Sequence, residues 1–272
     1  MIIRHFFRAV SLLAGLAFSW FAVRSWSQWW ILPLSVLAAY AALLLIYLVF
    51  SYVVSQCFDT RGEIHRHNGF AHFMMWLTLD YICLMCRVRY RAEGMEKLPD
   101  GPFLLVSNHR SRFDPMITFI LLRKRKMTFV SKPENFRIPM AGPYMARSRF
   151  IPVDRENARN ALLAIHKASE MIQQEHYSVG IYPEGTRNRT DDAVIPFHHG
   201  SFKIATQTHV PVVLMSVHGS EKIHLNFPWK GTKVLFRVVA VLNPDDYANT
   251  AGLSAASERI IAESLSDNDI RF

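Results

Sequence analysis

The segment Ser107-Asn108-His109-Arg110-Ser111-Arg112-Phe113-Asp114-Pro115 decides how the chain is read. An apolar run, Phe103 to Val106, leads into it, and a second, Met116 to Leu122, leaves it. The first has the length of a buried strand, and Pro115–Leu122 reads as a helix. A histidine and an aspartate are thereby set at a strand-to-helix junction, where α/β domains commonly place catalytic groups. Five positions apart on an ideal helix, the two would diverge by about 140°. In a turn that enters a helix, the carboxylate can instead fold back onto the imidazole, fixing its tautomer and stabilising the imidazolium. Taken alone, Asp114-Pro115 reads as readily as a plain helix N-cap with proline at the first helical position. Asn108 and Ser111 are residue types that shape such a turn.

Outward from this junction, short apolar runs alternate with helical patterns. Arg87–Ala92 alternates as a half-buried strand does. Phe103–Val106, Met127–Val130, Phe150–Val153, Val179–Tyr182, Val212–Val217 and Val234–Val241 read as further strands. Asn157–Glu175, Ser201–Thr208 and Ser254–Leu265 read as helices alongside Pro115–Leu122. The alternation predicts an α/β fold: a mixed, mostly buried β-sheet flanked by helices. We place this domain at 87–272, with no repeats and no low-complexity linker.

Upstream the pattern changes. Ala9–Val23 is apolar and flanked by Arg8 and Arg24, and Trp29–Phe58 carries no charge before Asp59. A bilayer-spanning helix needs about 20 apolar residues, so the second run qualifies and the first is short. Trp20, Trp26, Trp29 and Trp30 cluster where the runs meet, as an interfacial aromatic belt does. Residues 1–60 are therefore expected to form an N-terminal hydrophobic helical hairpin, either crossing the bilayer or dipping into one leaflet. Arg4, Arg8, Arg61 and Arg66 flank it and predict cytoplasmic ends, hence an inner-membrane protein whose catalytic domain faces the cytoplasm. Residues 61–86 are expected to be an amphipathic connector lying on the membrane.

The net charge of +9 points to anionic partners such as a phospholipid surface or a phosphorylated substrate. Nucleic acid is disfavoured, because no binding motif and no aromatic-interleaved basic stripe is present. Cys57, Cys83 and Cys86 do not make a disulfide framework, and the lone CxxC at 83–86 lies in an apolar run. His65, His67 and His72 show no HExxH or comparable spacing, so no metal site is expected.

Two further strand ends carry chemistry. Tyr182-Pro183-Glu184-Gly185-Thr186-Arg187 offers a glycine that lets backbone approach a ligand and an arginine fork suited to phosphate. Phe150-Ile151-Pro152-Val153-Asp154-Arg155 ends on another arginine, and Arg155 and Arg187 can converge on one anion. Each arginine alone is also compatible with ordinary surface charge.

Asn108-His109-xxxx-Asp114, the Phe150–Arg155 stretch, Glu184-Gly185-Thr186-Arg187 and Val210-Pro211-Val212 together resemble the glycerolipid acyltransferases. The nearest likeness is to bacterial 1-acyl-sn-glycerol-3-phosphate acyltransferases. The resemblance covers roughly residues 90–220 and extends to Ser131-Lys132-Pro133-Glu134-Asn135-Phe136. Arg112 and the pair His198-His199 depart from the family pattern, the first for an apolar or aromatic residue and the second for lysines. The resemblance implies His109 as general base and Asp114 as its orienting partner. It implies Arg155, Glu184, Gly185, Thr186, Arg187 and Lys132 as substrate-binding groups, with Asn108, Ser111 and Pro211 in support. It further implies an acyl thioester co-substrate, acyl-CoA or acyl carrier protein, a lysophospholipid acceptor attacked through its sn-2 hydroxyl, and no permanently bound cofactor. The basic run Arg123-Lys124-Arg125-Lys126 suits an acidic carrier protein or anionic lipid. A membrane-anchored serine esterase using Ser107 or Ser111 is the competing enzyme class, but no G-x-S-x-G elbow is present. An inert membrane adaptor would have no use for His109, Asp114 and Glu184–Arg187.

Overall fold

A computed structural model describes residues 2–58, 67–154 and 157–266. Within them the apolar runs read as strands lie in one sheet: β1 (Val88–Glu93), β2 (Leu104–Ser107), β3 (Met127–Ser131), β4 (Ile151–Pro152), β5 (Ser178–Ile181), β6 (Val212–His218) and β7 (Thr232–Leu242). Their order is β1-β7-β6-β2-β5-β3-β4. Strands β6, β2, β5, β3 and β4 run parallel, β7 is antiparallel to β6, and β1 is parallel to β7. The sheet is thus mixed, and its central strands are buried on both faces.

Side chains two apart along a strand point to one face, and this splits the core. Phe103, Leu105, Phe129, Val213 and Met215 pack on one side with α3 (Gly69–Met85), α4 (Phe113–Leu121) and α5 (Ala141–Arg147). Leu104, Val106, Val179, Val212 and Leu214 pack on the other with α6 (Ala158–Glu175), α7 (Lys203–Thr208) and α9 (Thr250–Ser266). Each large side chain withdrawn completely from water contributes about 1.5–3 kcal/mol, so the two layers hold the sheet without a disulfide.

Helix α3 differs from the expected connector. It is apolar on every side rather than amphipathic, burying Ala71, Met74, Met75, Trp76, Tyr81 and Cys83, and it belongs to the core beneath α4 and α5. Asn68 caps it by accepting the Ala71 N–H at 3.0 Å. Residues 59–66, which include Arg61, His65 and Arg66, lie outside the described part. His72 packs on Phe119 at 4.6 Å between ring centres, and burial pulls its pKa down to about 4. Burial likewise pushes the Cys83 thiol up to about 12.

The N-terminal helices are α1 (Ile2–Ala22) and α2 (Ile31–Gln56). The spans His5–Ala22 and Trp26–Gln56, of 18 and 31 residues, are long and apolar enough to cross a membrane. The two helices meet at Gly15: the Ser35 hydroxyl donates to Gly15 O at 3.1 Å, and the Ser19 and Ser35 hydroxyls are 3.0 Å apart. From Tyr40 onward, α2 is fastened to the domain by tyrosines. Tyr40 bonds Tyr81 (2.6 Å), Tyr47 bonds Thr78 (2.7 Å), and Tyr144 donates to Ser51 O (2.8 Å). The hairpin tip before Tyr40 projects past the C-terminal end of α3, and its aromatics face outward, with Trp20 of α1 83% and Trp26 of the connecting turn 90% exposed.

Candidate active site

The C-terminal ends of β2, β5 and β3 bring His109, the Glu184–Arg187 turn and Lys132 to one edge of the sheet. The turn between β2 and α4 is built by backbone bonds to side chains. The carboxylate oxygen Asp114 Oδ2 accepts the N–H groups of Arg110 and Ser111, both at 2.7 Å, and stands 3.0 Å from His109 Nδ1. Asp114 is fully buried, and His109 retains 18% of its side-chain exposure. Asp114 is therefore not the N-cap. Arg112 occupies that position and Asp114 lies in the first turn, its carboxylate turned back to the chain that precedes the helix. The fold-back onto the imidazole and the tie to the backbone are one feature, which a simple cap reading separates.

The histidine is held from three more directions. Its N–H donates to Glu184 Oε1 at 2.7 Å, its carbonyl accepts the Asn188 N–H at 2.7 Å, and its ring lies 4.7 Å from the Tyr182 ring. Asn108 fixes the strand end, donating to Val217 O (3.0 Å) and accepting the Val217 N–H (2.8 Å). The Ser111 hydroxyl accepts the Phe113 N–H at 3.3 Å, and the Ser107 hydroxyl donates to Asn108 O at 3.2 Å. Neither serine bonds His109. With Nδ1 engaged by Asp114, Nε2 is the ring nitrogen left to face a ligand.

Three of these groups carry no motif prominent enough to mark them from sequence. Asn188, 2% exposed, also shapes the following loop: its amide donates to Asp192 O and accepts from the Thr190 N–H. Arg110 clamps the same loop through Thr190 O and Asp192 O. Tyr182 is buried beneath the imidazole, with its hydroxyl 3.2 Å from Thr118 Oγ1. Burial and the nearby Asp114 charge raise its pKa well above the usual phenol value.

Glu184 is 2% exposed, and burial raises its carboxyl to about 7 against the pull of the His109 and Ile195 N–H groups and of Arg110. Gly185 adopts φ +73°, a conformation that favours glycine, and its N–H closes a turn on Tyr182 O at 3.0 Å. Thr186 is exposed and Arg187 half-buried. Arg187 forms no ion pair among the described residues; desolvation and the adjacent Arg112 and Arg189 charges lower its pKa, and Asp114 opposes them. The structure thus groups Arg112 and Arg189 with Arg187. Arg155, the partner expected from sequence, lies outside the described residues.

Lys132 is exposed just beyond β3. Pro211 precedes β6, at the opposite end of the sheet from His109, where its carbonyl accepts the Leu104 N–H at 3.0 Å. The basic run at 123–126 is at that far end as well. There Arg123 lies over the Trp76 ring (4.4 Å) and Arg125 donates to Pro99 O and Asp100 O.

Two cavities flank the edge. An apolar one of about 410 Å³ opens beside Gly185 and His199 and is lined by Val153, Ala164, Ile181 and Ile204. A polar one of about 840 Å³ is lined by Arg110, His218, Glu221 and Lys222 among others.

Residues 89–218 match the family model described as Acyltransferase. It is similar to the chloroplastic 1-acyl-sn-glycerol-3-phosphate acyltransferase BAT2 of Brassica napus, with 36% identity over 133 residues, 48% of this chain and 38% of that one. It therefore spans well under two thirds of that relative. The 1-acyl-sn-glycerol-3-phosphate acyltransferase of Haemophilus influenzae is 28% identical over 171 residues, 61% of this chain and 69% of that one. In fold, the chain is similar to the crystal structure of the 1-acyl-sn-glycerophosphate (LPA) acyltransferase PlsC from Thermotoga maritima. The TM-score is 0.59 at 22% identity, over 84% of this chain and 90% of that one.

Proposed function

We propose that this chain is a membrane-attached O-acyltransferase. It moves an acyl group from a thioester, acyl-CoA or acyl carrier protein, to the sn-2 hydroxyl of 1-acyl-glycerol-3-phosphate, giving phosphatidic acid. The observation that carries this reading is the partly exposed His109, paired with the buried Asp114, in the neighbourhood of Arg187, Arg112 and Arg189, none of which forms an ion pair among the described residues. A base next to an unneutralised guanidinium cluster suits an acceptor that bears both a hydroxyl and a phosphate.

His109 Nε2 takes the hydroxyl proton as the oxygen attacks the thioester carbonyl, while Asp114 stabilises the imidazolium through Nδ1. The tetrahedral oxyanion needs donors. The Gly185 N–H is committed to Tyr182 O, whereas the Thr186 and Arg187 N–H groups bond no acceptor among the described residues and are the better candidates. Collapse breaks the C–S bond, and the leaving thiolate recovers the proton from His109. General-base help contributes about 10²–10⁴-fold, and positioning by the arginines supplies a further share. The apolar cavity beside Gly185 suits part of an acyl chain. Helices α1 and α2 serve as the membrane attachment, which lets the lysolipid arrive from the bilayer and the thioester from water.

A second reading keeps the chemistry and changes the acceptor to another lysolipid, such as a lyso-amino-acid lipid. It is favoured by Arg112, whose charge adds to that of Arg187, and by His198-His199, which line the cavity beside Gly185. The test is transfer by the reconstituted protein to a panel of lysolipids from both thioester donors, with His109→Ala as control. Product from 1-acyl-glycerol-3-phosphate above all others supports the first reading, and near-normal turnover by His109→Ala overturns the base assignment.

A further inference from the structure

We propose that the loop from Lys222 to Lys233 is a second membrane-contact element, seating Leu225, Phe227 and Trp229 among the headgroups of an anionic bilayer. This rests on reading α1 and α2 as the membrane attachment and adds a contact which that reading does not require.

The loop joins β6 to β7 and includes the short helix α8 (Ile223–Asn226). Ile223 is 1% exposed and anchors it to the core, yet Leu225 is 72%, Phe227 48% and Trp229 83% exposed. These side chains are held outward by a closed network. The Phe227 N–H donates to Ile223 O (3.1 Å), the Lys230 N–H to Asn226 O (2.7 Å), the Asn226 amide to Thr232 Oγ1 (3.0 Å), and the Arg87 guanidinium to Trp229 O (3.0 Å). Keeping a tryptophan, a phenylalanine and a leucine in water is unfavourable unless something covers them.

Charge identifies the cover. The connection 219–231 exposes Lys222, His224 and Lys230 against one carboxylate, the partly exposed Glu221, and Arg87 and Arg89 are exposed beside it. Aromatic and aliphatic side chains ringed by lysine suit the bilayer interface, where the rings enter the headgroup layer and the ammonium groups meet lipid phosphates.

Topology sets the loop on the right side. His218 ends β6 and Thr232 begins β7 at the same sheet end as Ser107, because β6 runs parallel to β2 and antiparallel to β7. Val88 pairs with Thr232, so Met85 at the end of α3 lies there too, and Tyr40 reaches Met85 and Tyr81. From Tyr40 the hairpin continues about 15 Å to Trp30, projecting at this end. One surface therefore carries the hairpin tip, the Trp229 loop and the His109 edge.

The test uses the full chain in vesicles of phosphatidylcholine and phosphatidylglycerol, with and without brominated acyl chains. Subtracting Trp229→Ala isolates the emission of Trp229 from the other five tryptophans. We expect brominated lipid to quench that difference signal; an unquenched signal overturns the proposal and leaves a protein partner as occupant. As a second readout, Leu225→Ser with Trp229→Ser is expected to lower kcat/KM about tenfold for lysolipid presented in vesicles and to leave a water-soluble short-chain acceptor unaffected. An equal fall on both acceptors overturns it. If neither acceptor is acylated by the unaltered chain, the proposed function fails while the quenching result still decides the contact.

Discussion

Asp114 Oδ2 lies 3.0 Å from His109 Nδ1 while accepting the Arg110 and Ser111 N–H groups at 2.7 Å. The carboxylate is thus fixed by the turn before it orients the imidazole. Two backbone donors on the same oxygen hold it as an acceptor, so Nδ1 carries the proton and Nε2 the lone pair. Tyr182 beneath the ring and Glu184 on the His109 N–H complete the restraint.

Asp114→Asn should separate this orienting role from folding. The amide keeps the size of the carboxylate and, with its oxygen in the place of Oδ2, can still accept the Arg110 and Ser111 N–H groups, but it removes the charge that stabilises the imidazolium. We expect turnover to fall about 10²–10⁴-fold with little change in acceptor KM and a folded protein by circular dichroism. A variant within about threefold of the parent rate would remove Asp114 from the mechanism.

Arg187→Ala should raise KM for phosphate-bearing acceptors by about 10–100-fold, the effect of one charge-assisted hydrogen-bonding group worth about 1.5–3 kcal/mol. Arg187→Lys should restore only part of the loss, because an ammonium lacks the planar fork. The same pair of variants assayed with a lysolipid lacking phosphate should show no such difference; equal losses on both acceptors would count against the clamp.

The parts of this fold legible in sequence are those whose physics is local. A strand buried on both faces reads as a continuous apolar run, as β2, β5 and β6 do, whereas the half-exposed β1 reads by its alternation. The His109–Asp114 turn is legible through residue type and spacing, although proline at 115 suggests a first-turn boundary and so draws the N-cap to Asp114 instead of Arg112. Helix α3 escapes because a helix apolar all round has no face to read, and it belongs to the core only once α4 and α5 cover it. Asn188 and Tyr182 escape because their service to His109 is a backbone bond and a ring contact between segments over seventy residues apart, neither of which leaves a periodicity.

Gly15 offers a test of the hairpin. A Cβ there would lie 2.4 Å from Val36 Cγ2 and 2.8 Å from the Val36 backbone, so Gly15→Leu must push the helices apart, at a cost of about 1–3 kcal/mol. Ser19→Cys and Ser35→Cys, introduced together in a Cys57→Ser background, report the spacing, since the two native hydroxyls are 3.0 Å apart. We expect rapid disulfide formation in the parent and several-fold slower formation with Gly15→Leu. Equal rates would mean that α1 and α2 do not pack at this point.

Glu184 gives the pH dependence. Its carboxyl is raised from 4.5 to about 7 chiefly by burial, so the folded protein holds this proton more tightly than the unfolded chain. The favourable contribution is fully present below about pH 4.5, declines as pH rises, and is lost above about 7. Each pH unit separating the folded and unfolded values corresponds to roughly 1.4 kcal/mol, so ionisation costs on the order of 3 kcal/mol at pH 8. Glu184→Gln cannot ionise, yet its Oε1 can still accept the His109 N–H that Glu184 accepts at 2.7 Å. The variant should therefore melt several degrees above the parent at pH 8, and the gap should close as pH falls toward 5. Melting curves recorded in detergent across this range decide it. A gap that widens on acidification would mean that Glu184 is a stabilised carboxylate, with Arg110 and the backbone donors outweighing its burial.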